Sequence, residues 1–388
     1  MNTKGTFPTD KFGALRTPFY YYNTDLLRET LDVVTRESEK YGNYHVHYAV
    51  KANANINLLT IVRDKGLGVD CVSGGEIEAA LKAGFSSDKI VFAGVGKSDW
   101  EINLGLDNDI FCFNAESIPE LEVINELAAA KGKVASIALR INPDVAANTH
   151  HYITTGLKEN KFGISLAHLD HVIDVLASLK NLKLIGLHFH IGSQILDMSD
   201  FKALSIRINE LQDQLAARNV SLELINVGGG LGIDYQNPDQ NPIPDFAPYF
   251  ATFNENLQLR DGQSLHFELG RSIICQCGSL ITKTLYVKEG VNKKFAIVDA
   301  GMTDLIRPAL YQAYHKIENI SSDEALEVYD IVGPICESSD TFAKDFELNK
   351  TKRGDIIALR SAGAYGEIMA SQYNCRTLPA AYYSEDFK

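Results

Sequence analysis

"HVHYAVKANAN" (residues 45–55) is a short run of strand-forming residues that ends on a lysine. Strand side chains alternate in direction, so His45, His47, Ala49 and Lys51 share one face while Val46, Tyr48 and Val50 share the other. An apolar face suits contact with helices, which places the polar face, with Lys51 at its C-terminal rim, inside a parallel barrel. The same split recurs in "KLIGLHFHIGSQ" (183–194), where Ile185, Leu187 and Phe189 oppose Gly186, His188 and His190. It recurs in "SLHFELGR" (264–271), where Leu265 and Phe267 oppose His266 and Glu268. Three strands thereby bring Lys51, His190 and Glu268 to one mouth, the end of a barrel where chemistry is normally assembled.

Outward from these strands, apolar runs at 45–50, 69–72, 90–93, 110–113, 134–141, 184–190, 222–227 and 265–268 alternate with helix-period segments. Eight such units predict an α/β chain built on a (β/α)8 TIM barrel, with an open doubly wound sheet as the competing architecture. "SGGEIEAALKAGF" opens as a capping box from Ser73 to Glu76 and closes at Gly84, and "AESIPELEVINELAAAKG" is a second helix ending at Gly132. Beyond residue 275, "KTLYVK", "KFAIVDAG", "DIIALRSAG" and "RTLPAAYY" read as a separate β-domain, and "TPFYYYN" near the start has the same character. The expected domains are a barrel over 25–272 and a β-sandwich or β-barrel made of 1–24 with 273–388. "DVAANTHHYITTGLKENKFGI" (144–164) is a long polar connection, of the length that lids or variable surface loops have.

Composition narrows the function classes. With 37 Lys plus Arg against 50 Asp plus Glu, the net charge of −13 disfavours phosphate backbones and anionic lipid, so neither nucleic acid nor membrane is an expected partner. The start has no apolar leader-like segment and no run approaches the ~20 apolar residues that span a bilayer, so the expected location is cytoplasmic. Six cysteines (71, 112, 275, 277, 336, 375) form no paired framework, and five of them, all but Cys336, are expected to be buried thiols.

The seventh strand ends in Gly228-Gly229-Gly230, whose exposed backbone N–H groups would suit a phosphate at the strand ends barrels favour for it, although a plain tight turn has equal claim. Lysine, imidazole, carboxylate and glycine turn together are the set pyridoxal 5′-phosphate (PLP) asks for: Lys51 for the aldehyde, His190 to stack on the ring, Glu268 to keep the ring nitrogen protonated.

"YAVKAN", "CVSGGEI", "HFHIGSQ", "GGGLG", "ELGRS", "CESSDTF" and "GAYG" occur in order over nearly the whole chain. Together they resemble the barrel-type PLP-dependent decarboxylases of the alanine racemase-like fold, in particular those acting on meso-2,6-diaminopimelate. The resemblance implies a homodimer with shared active sites. It implies that Lys51 carries the imine and that Ser193, Gly228, Gly229, Gly230, Gly270, Arg271 and Tyr365 hold the phosphate or line the cofactor site. It implies Cys336 as a proton donor supplied by the second subunit, a role suited to a thiol, which is mostly protonated near neutrality. Arg271, Arg307 and Tyr311 would take the substrate's distal carboxylate, Glu337 its distal amine, and Tyr365 would also line the substrate site; an Arg can grip a carboxylate through two parallel N–H bonds. One departure is Leu269, where the family usually has Pro.

Two other classes compete. A metal-dependent barrel hydrolase is suggested by His45-Val-His47 and His188-Phe-His190, but at ~3.3 Å per residue His47 and His45 lie deep below Lys51, so no metal is expected. A PLP carrier without catalysis would not need the β-domain motifs. Within the resemblance, a decarboxylase of another diamino acid and a racemase of like architecture remain the near alternatives.

Overall fold

The computed structural model describes residues 5–145 and 161–388, so most of the long polar connection at 144–164 lies outside the described residues. By contacts the chain divides into two units, one of residues 31–232 and 245–270 and one of residues 1–30, 233–244 and 271–388. The segment 233–244, which the sequence reading assigns to the barrel, groups with the second unit.

Chain order begins with β1 (Phe19–Tyr22) and then runs through the first unit's strands: β2 (Tyr44–Ala49), β3 (Gly68–Cys71), β4 (Ile90–Phe92), β5 (Cys112–Ala115), β6 (Ala135–Asn142), β7 (Ile164–Ser165), β8 (Leu182–His188), β9 (Leu224–Asn226) and β10 (Ser264–Leu269). All pairings in this unit are parallel, in the order β5-β4-β3-β2-β10-β9-β8-β6, and a further β5–β6 pairing closes the ring. The eight-stranded barrel is therefore present and the open sheet is not; β7 is a two-residue addition beside β6. Val46, Tyr48, Val69, Ile137, Leu139, Leu187, Ile225 and Phe267 are buried, as the alternation predicts.

Two local departures follow from backbone detail. Strand β2 ends at Ala49, and Val50–Ala52 form a 3-10 turn, so Lys51 sits just past the strand rather than on it. Strand β8 carries a bulge opposite Ile137 and Ala138, and the extra residue breaks the alternation: Ile185 packs with Val91, Cys112, Ala138 and Leu224. Helix entry also differs from the expected box. Ser73 Oγ accepts the Glu76 N–H, but the Glu76 carboxylate accepts the N–H of Val72, one residue further back. Glu120 does the same at the next such helix, accepting from Glu116 while Ser117 caps Glu120.

The second unit is a mixed sheet of eight strands: β1 with β11 (Gly278–Glu289), β12 (Lys294–Val298), β13 (Ile317–Asn319), β14 (Leu326–Val332), β15 (Thr341–Asn349), β16 (Ile356–Leu359) and β17 (Ala380–Tyr383). β1 pairs antiparallel with β11 and parallel with β17, which is how "TPFYYYN" joins the C-terminal strands. Phe12, Phe19, Tyr21, Ile281, Ile356 and Ala358 form its buried cluster.

Candidate active site

In the barrel unit, Lys51 reaches the mouth with 38% of its side chain exposed, and its Nζ lies 3.6 Å from Oδ2 of the fully buried Asp70. Burial and the Glu268 charge push the Asp70 carboxyl well above the usual range, against the opposing pull of Lys51. Glu268 goes the other way. Burial alone would raise it, but His188, followed by the Lys51 charge, holds it well below the usual carboxylate range. One mouth thus holds one carboxyl biased towards its neutral form and one kept ionised.

The Glu268 carboxylate is held by three buried side chains. Asn226 Nδ2 donates to Oε1 at 2.7 Å, Asn114 Nδ2 donates to the same oxygen at 3.1 Å, and His188 Nε2 donates to Oε2 at 2.9 Å. An ionised carboxylate has about four acceptor positions and cannot donate, so among the described residues three are filled and one is left on Oε2 for a donor from outside. A protonated ring nitrogen fits that vacancy by its chemistry, whereas a neutral pyridine nitrogen, an acceptor, would not.

His190 is pushed well below its usual pKa by burial and by the Lys51 and Arg140 charges, so it is a neutral imidazole. Its Nδ1 accepts the N–H of Gly229 at 3.3 Å, which leaves the proton on Nε2. Gly228 has φ +68° and Gly230 φ +122°. A Cβ on Gly229 would lie 2.1 Å from the Glu268 carbonyl oxygen, so only glycine lets the turn lie against β10. Gly230 O accepts from Ile195, just past the half-buried Ser193 in the turn that follows β8. Gly270 is buried directly after β10, and Leu269 is the last residue of that strand, paired with Tyr48.

In the second unit, Arg271 and Arg307 are buried at 7% and 6% exposure and share two aromatic rings. The Arg271 guanidinium lies 5.1 Å from the Tyr365 ring centre and 5.9 Å from that of Tyr235, and Arg307 lies 5.9 and 5.8 Å from the same two rings. Both donate to the Tyr235 hydroxyl. His315 is pushed down to about 3 by burial and the Arg307 charge; its Nε2 accepts from Arg307 Nε at 3.3 Å and its Nδ1 donates to the Arg360 carbonyl at 2.9 Å. Two buried cations facing shared rings form a seat that an anion would neutralise. Tyr311 ends the short helix Arg307–Tyr311 and is half-buried. Cys336 and Glu337 are exposed on the loop between β14 and β15, where Cys336 N donates to Asn374 Oδ1 at 3.3 Å and Tyr373 donates to Glu337 at 2.7 Å. Cys375 is exposed too, which corrects the expectation of a buried thiol: it sits in a 3-10 turn with φ +57°.

Sequence reading missed Asp70, Asn114, Asn226 and His188 as partners of the lysine and the carboxylate, and Tyr235 and His315 as partners of the arginines. Asp70 and His188 each stand on the polar face of their strands and could have been found by the alternation that gave Glu268. The paired histidines have other partners: His47 Nε2 meets His266 Nδ1 at 2.8 Å. Among the described residues no group of three His, Cys, Asp or Glu is placed to hold a metal ion, and no helix is long and apolar enough to cross a membrane.

Comparison with known proteins places this geometry. The family described as "Pyridoxal-dependent decarboxylase, pyridoxal binding domain" matches residues 28–275, more than half of the chain. Diaminopimelate decarboxylase of Bacteroides thetaiotaomicron is 69% identical over 383 residues, covering 99% of each chain. That of Aquifex aeolicus is 41% identical over 95% of this chain and 87% of its own. The crystal structure of diaminopimelate decarboxylase from Helicobacter pylori complexed with L-lysine superposes with a TM-score of 0.91 at 41% identity, covering 97% of this chain and 94% of that one.

Proposed function

The chain belongs to the diaminopimelate decarboxylases of the pyridoxal-dependent decarboxylase family, and on that premise we propose how its own residues divide the work. The reaction is decarboxylation of meso-2,6-diaminopimelate to L-lysine and CO2, the last step of lysine formation, with PLP as cofactor. When bound, PLP supplies the electron sink that accepts the pair left on the α-carbon as CO2 departs.

Lys51 is the amine that would hold the cofactor through its aldehyde, and Asp70 beside it is a carboxyl biased towards its neutral form, able to hold or return a proton at Nζ. Glu268 would accept the ring-nitrogen N–H through the acceptor position that its three donors among the described residues leave open. His190, neutral, offers a ring face, while Ser193, Gly228, Gly229, Gly230, Gly270, Arg271 and Tyr365 hold the phosphate or line the cofactor site. Arg271, Arg307 and Tyr311 orient the substrate by its distal carboxylate, Glu337 takes its distal amine, and Tyr365, whose ring faces both arginines, also lines the substrate site. Cys336 protonates the α-carbon.

In this reading Cys336 and Glu337, exposed on one loop, serve the active site of a second copy, the working enzyme is a homodimer with shared sites, and its place is the cytoplasm. The barrel unit (31–232 and 245–270) binds the cofactor and the second unit carries that loop. The observation that carries the proposal is the Glu268 carboxylate, buried, ionised and one donor short. Incubation of the purified protein with PLP and a panel of diamino acids, following CO2 and the product amine, tests the activity. Release of CO2 from meso-diaminopimelate with lysine as product is expected. Retention of the carboxylate with inverted configuration would make the chain a racemase, and preference for ornithine or arginine would displace the distal-carboxylate assignment.

A further inference from the structure

We infer that Asn226 is a positioning residue that ties the glycine turn at 228–230 to the Glu268 carboxylate, so that the two ends of the cofactor seat are set by one side chain. The inference rests on the proposed reading of those two ends, phosphate at the turn and ring nitrogen at Glu268.

Asn226 is the last residue of β9 and is 1% exposed. Its Oδ1 accepts the backbone N–H of Gly228 at 2.9 Å and its Nδ2 donates to Glu268 Oε1 at 2.7 Å. The first bond fixes which way the amide faces, because only its oxygen can accept, and so presents the NH2 group to the carboxylate. The turn needs this hold. Gly228 has φ +68°, a conformation the preceding strand does not impose, and an N–H left unmet in a buried turn would be free to rotate towards other partners. The backbone adds one further link, Glu268 N to Gly228 O at 2.8 Å, but this reaches only the main chain of Glu268. The position of the carboxylate itself relative to the turn is carried by Asn226.

Asn114 provides an internal comparison. It donates to the same Oε1 at 3.1 Å, but its own oxygen faces the Cys112 thiol at 3.9 Å, so it belongs to β5 and has no bond to the turn. Loss of Asn114 should disturb the ring end alone, whereas loss of Asn226 should disturb both ends together.

The test uses the full-length chain, freed of cofactor and reconstituted with PLP or with pyridoxal, which lacks the phosphate. The affinity for each and the absorption maximum of the bound form are measured. Asn114→Leu is expected to lower both affinities by the same factor and to shift the maximum, leaving the PLP-to-pyridoxal ratio as in the wild type. Asn226→Leu is expected to shift the maximum likewise and to reduce the ratio about tenfold, the loss of one bond that fixes a buried backbone donor. A ratio within about twofold of wild type in Asn226→Leu overturns the inference. Should that variant not fold, Asn226→Ser decides: its hydroxyl oxygen can still accept from Gly228 N but no longer reaches Glu268. The ratio should then be kept while the maximum moves as in Asn114→Leu, and an unmoved maximum overturns the inference. If the wild type itself binds pyridoxal and PLP equally, or Glu268→Gln changes neither spectrum nor affinity, the reading of the seats fails, and this inference with it.

Discussion

Glu268 is charged in a place where burial favours the neutral acid, because His188 and two asparagines give its oxygens donors and Lys51 gives them a charge. Replacing it by Gln removes the acceptor for a protonated ring nitrogen and puts an NH2 group in its place. Turnover should fall at least 100-fold with KM little changed, the pattern of a group that acts in the transition state, as steady-state kinetics would show. At the arginine pair, Arg307→Lys keeps the charge but loses the fork and the ring contact, so KM for diaminopimelate should rise about tenfold or more while kcat falls less. Unchanged KM would remove Arg307 from the distal carboxylate. Lys51, His190 and Glu268 were legible because the strands that lead to them carry polar faces towards one mouth, although Lys51 and His190 sit just past the ends of β2 and β8. Their supporting residues were not, because Asn114, His188 and Asn226 stand 154, 80 and 42 positions away from Glu268 in sequence and meet it only after the ring closes. Tyr235 and His315 carried no pattern at all; each is one polar aromatic residue in an irregular stretch.

The glycine turn after β9 is a device of close approach rather than of flexibility. Gly229→Ala would drive a Cβ to 2.1 Å from the Glu268 carbonyl oxygen, backbone that cannot yield without moving β10. The substitution should destabilise the barrel by roughly 1–3 kcal/mol and weaken PLP binding more than pyridoxal binding. Thermal unfolding and cofactor titration check both, and a variant with wild-type values would mean that the turn does not pack as described. At this scale the eight barrel strands were readable from short apolar runs with alternating faces, and the second sheet from Gly- and Pro-punctuated runs. The exceptions are local. The bulge that turns Ile185 inward, the 3-10 turn that carries Lys51 past β2, and the reach of the Glu76 carboxylate back to Val72 each shift a feature by a single residue, finer than hydrophobic alternation resolves. "GGG" alone reads equally as a plain turn; what the sequence did not show is that it lies against Glu268 and donates to His190.

Across the molecule, buried histidines link stability to pH. His47 lies at the end of the barrel away from Lys51, where burial pushes its pKa down to about 4 from a usual value near 6.5. As pH falls through that window the unfolded chain takes up the proton before the folded one does, so stability is fullest above about pH 6.5 and declines towards pH 4, by about 3 kcal/mol for this group. His47→Gln should flatten that decline in urea unfolding between pH 7 and 4.5; an equal slope would mean that His47 is not held neutral. The shared-site proposal is tested by mixing two inactive variants, K51A and C336A. Random exchange of subunits would leave half of the dimers mixed, each with one site intact, restoring about a quarter of wild-type activity. No recovery after subunit exchange would place Cys336 and Lys51 in the same subunit's site. The claim on which the rest depends is that Lys51, of all the chain's lysines, is the one joined to the cofactor. Borohydride reduction of the holoenzyme followed by peptide mass mapping measures this directly: the account predicts a pyridoxyl-phosphate adduct on Lys51 in the peptide containing "YAVKANAN", and an adduct on another lysine, or none, would contradict it.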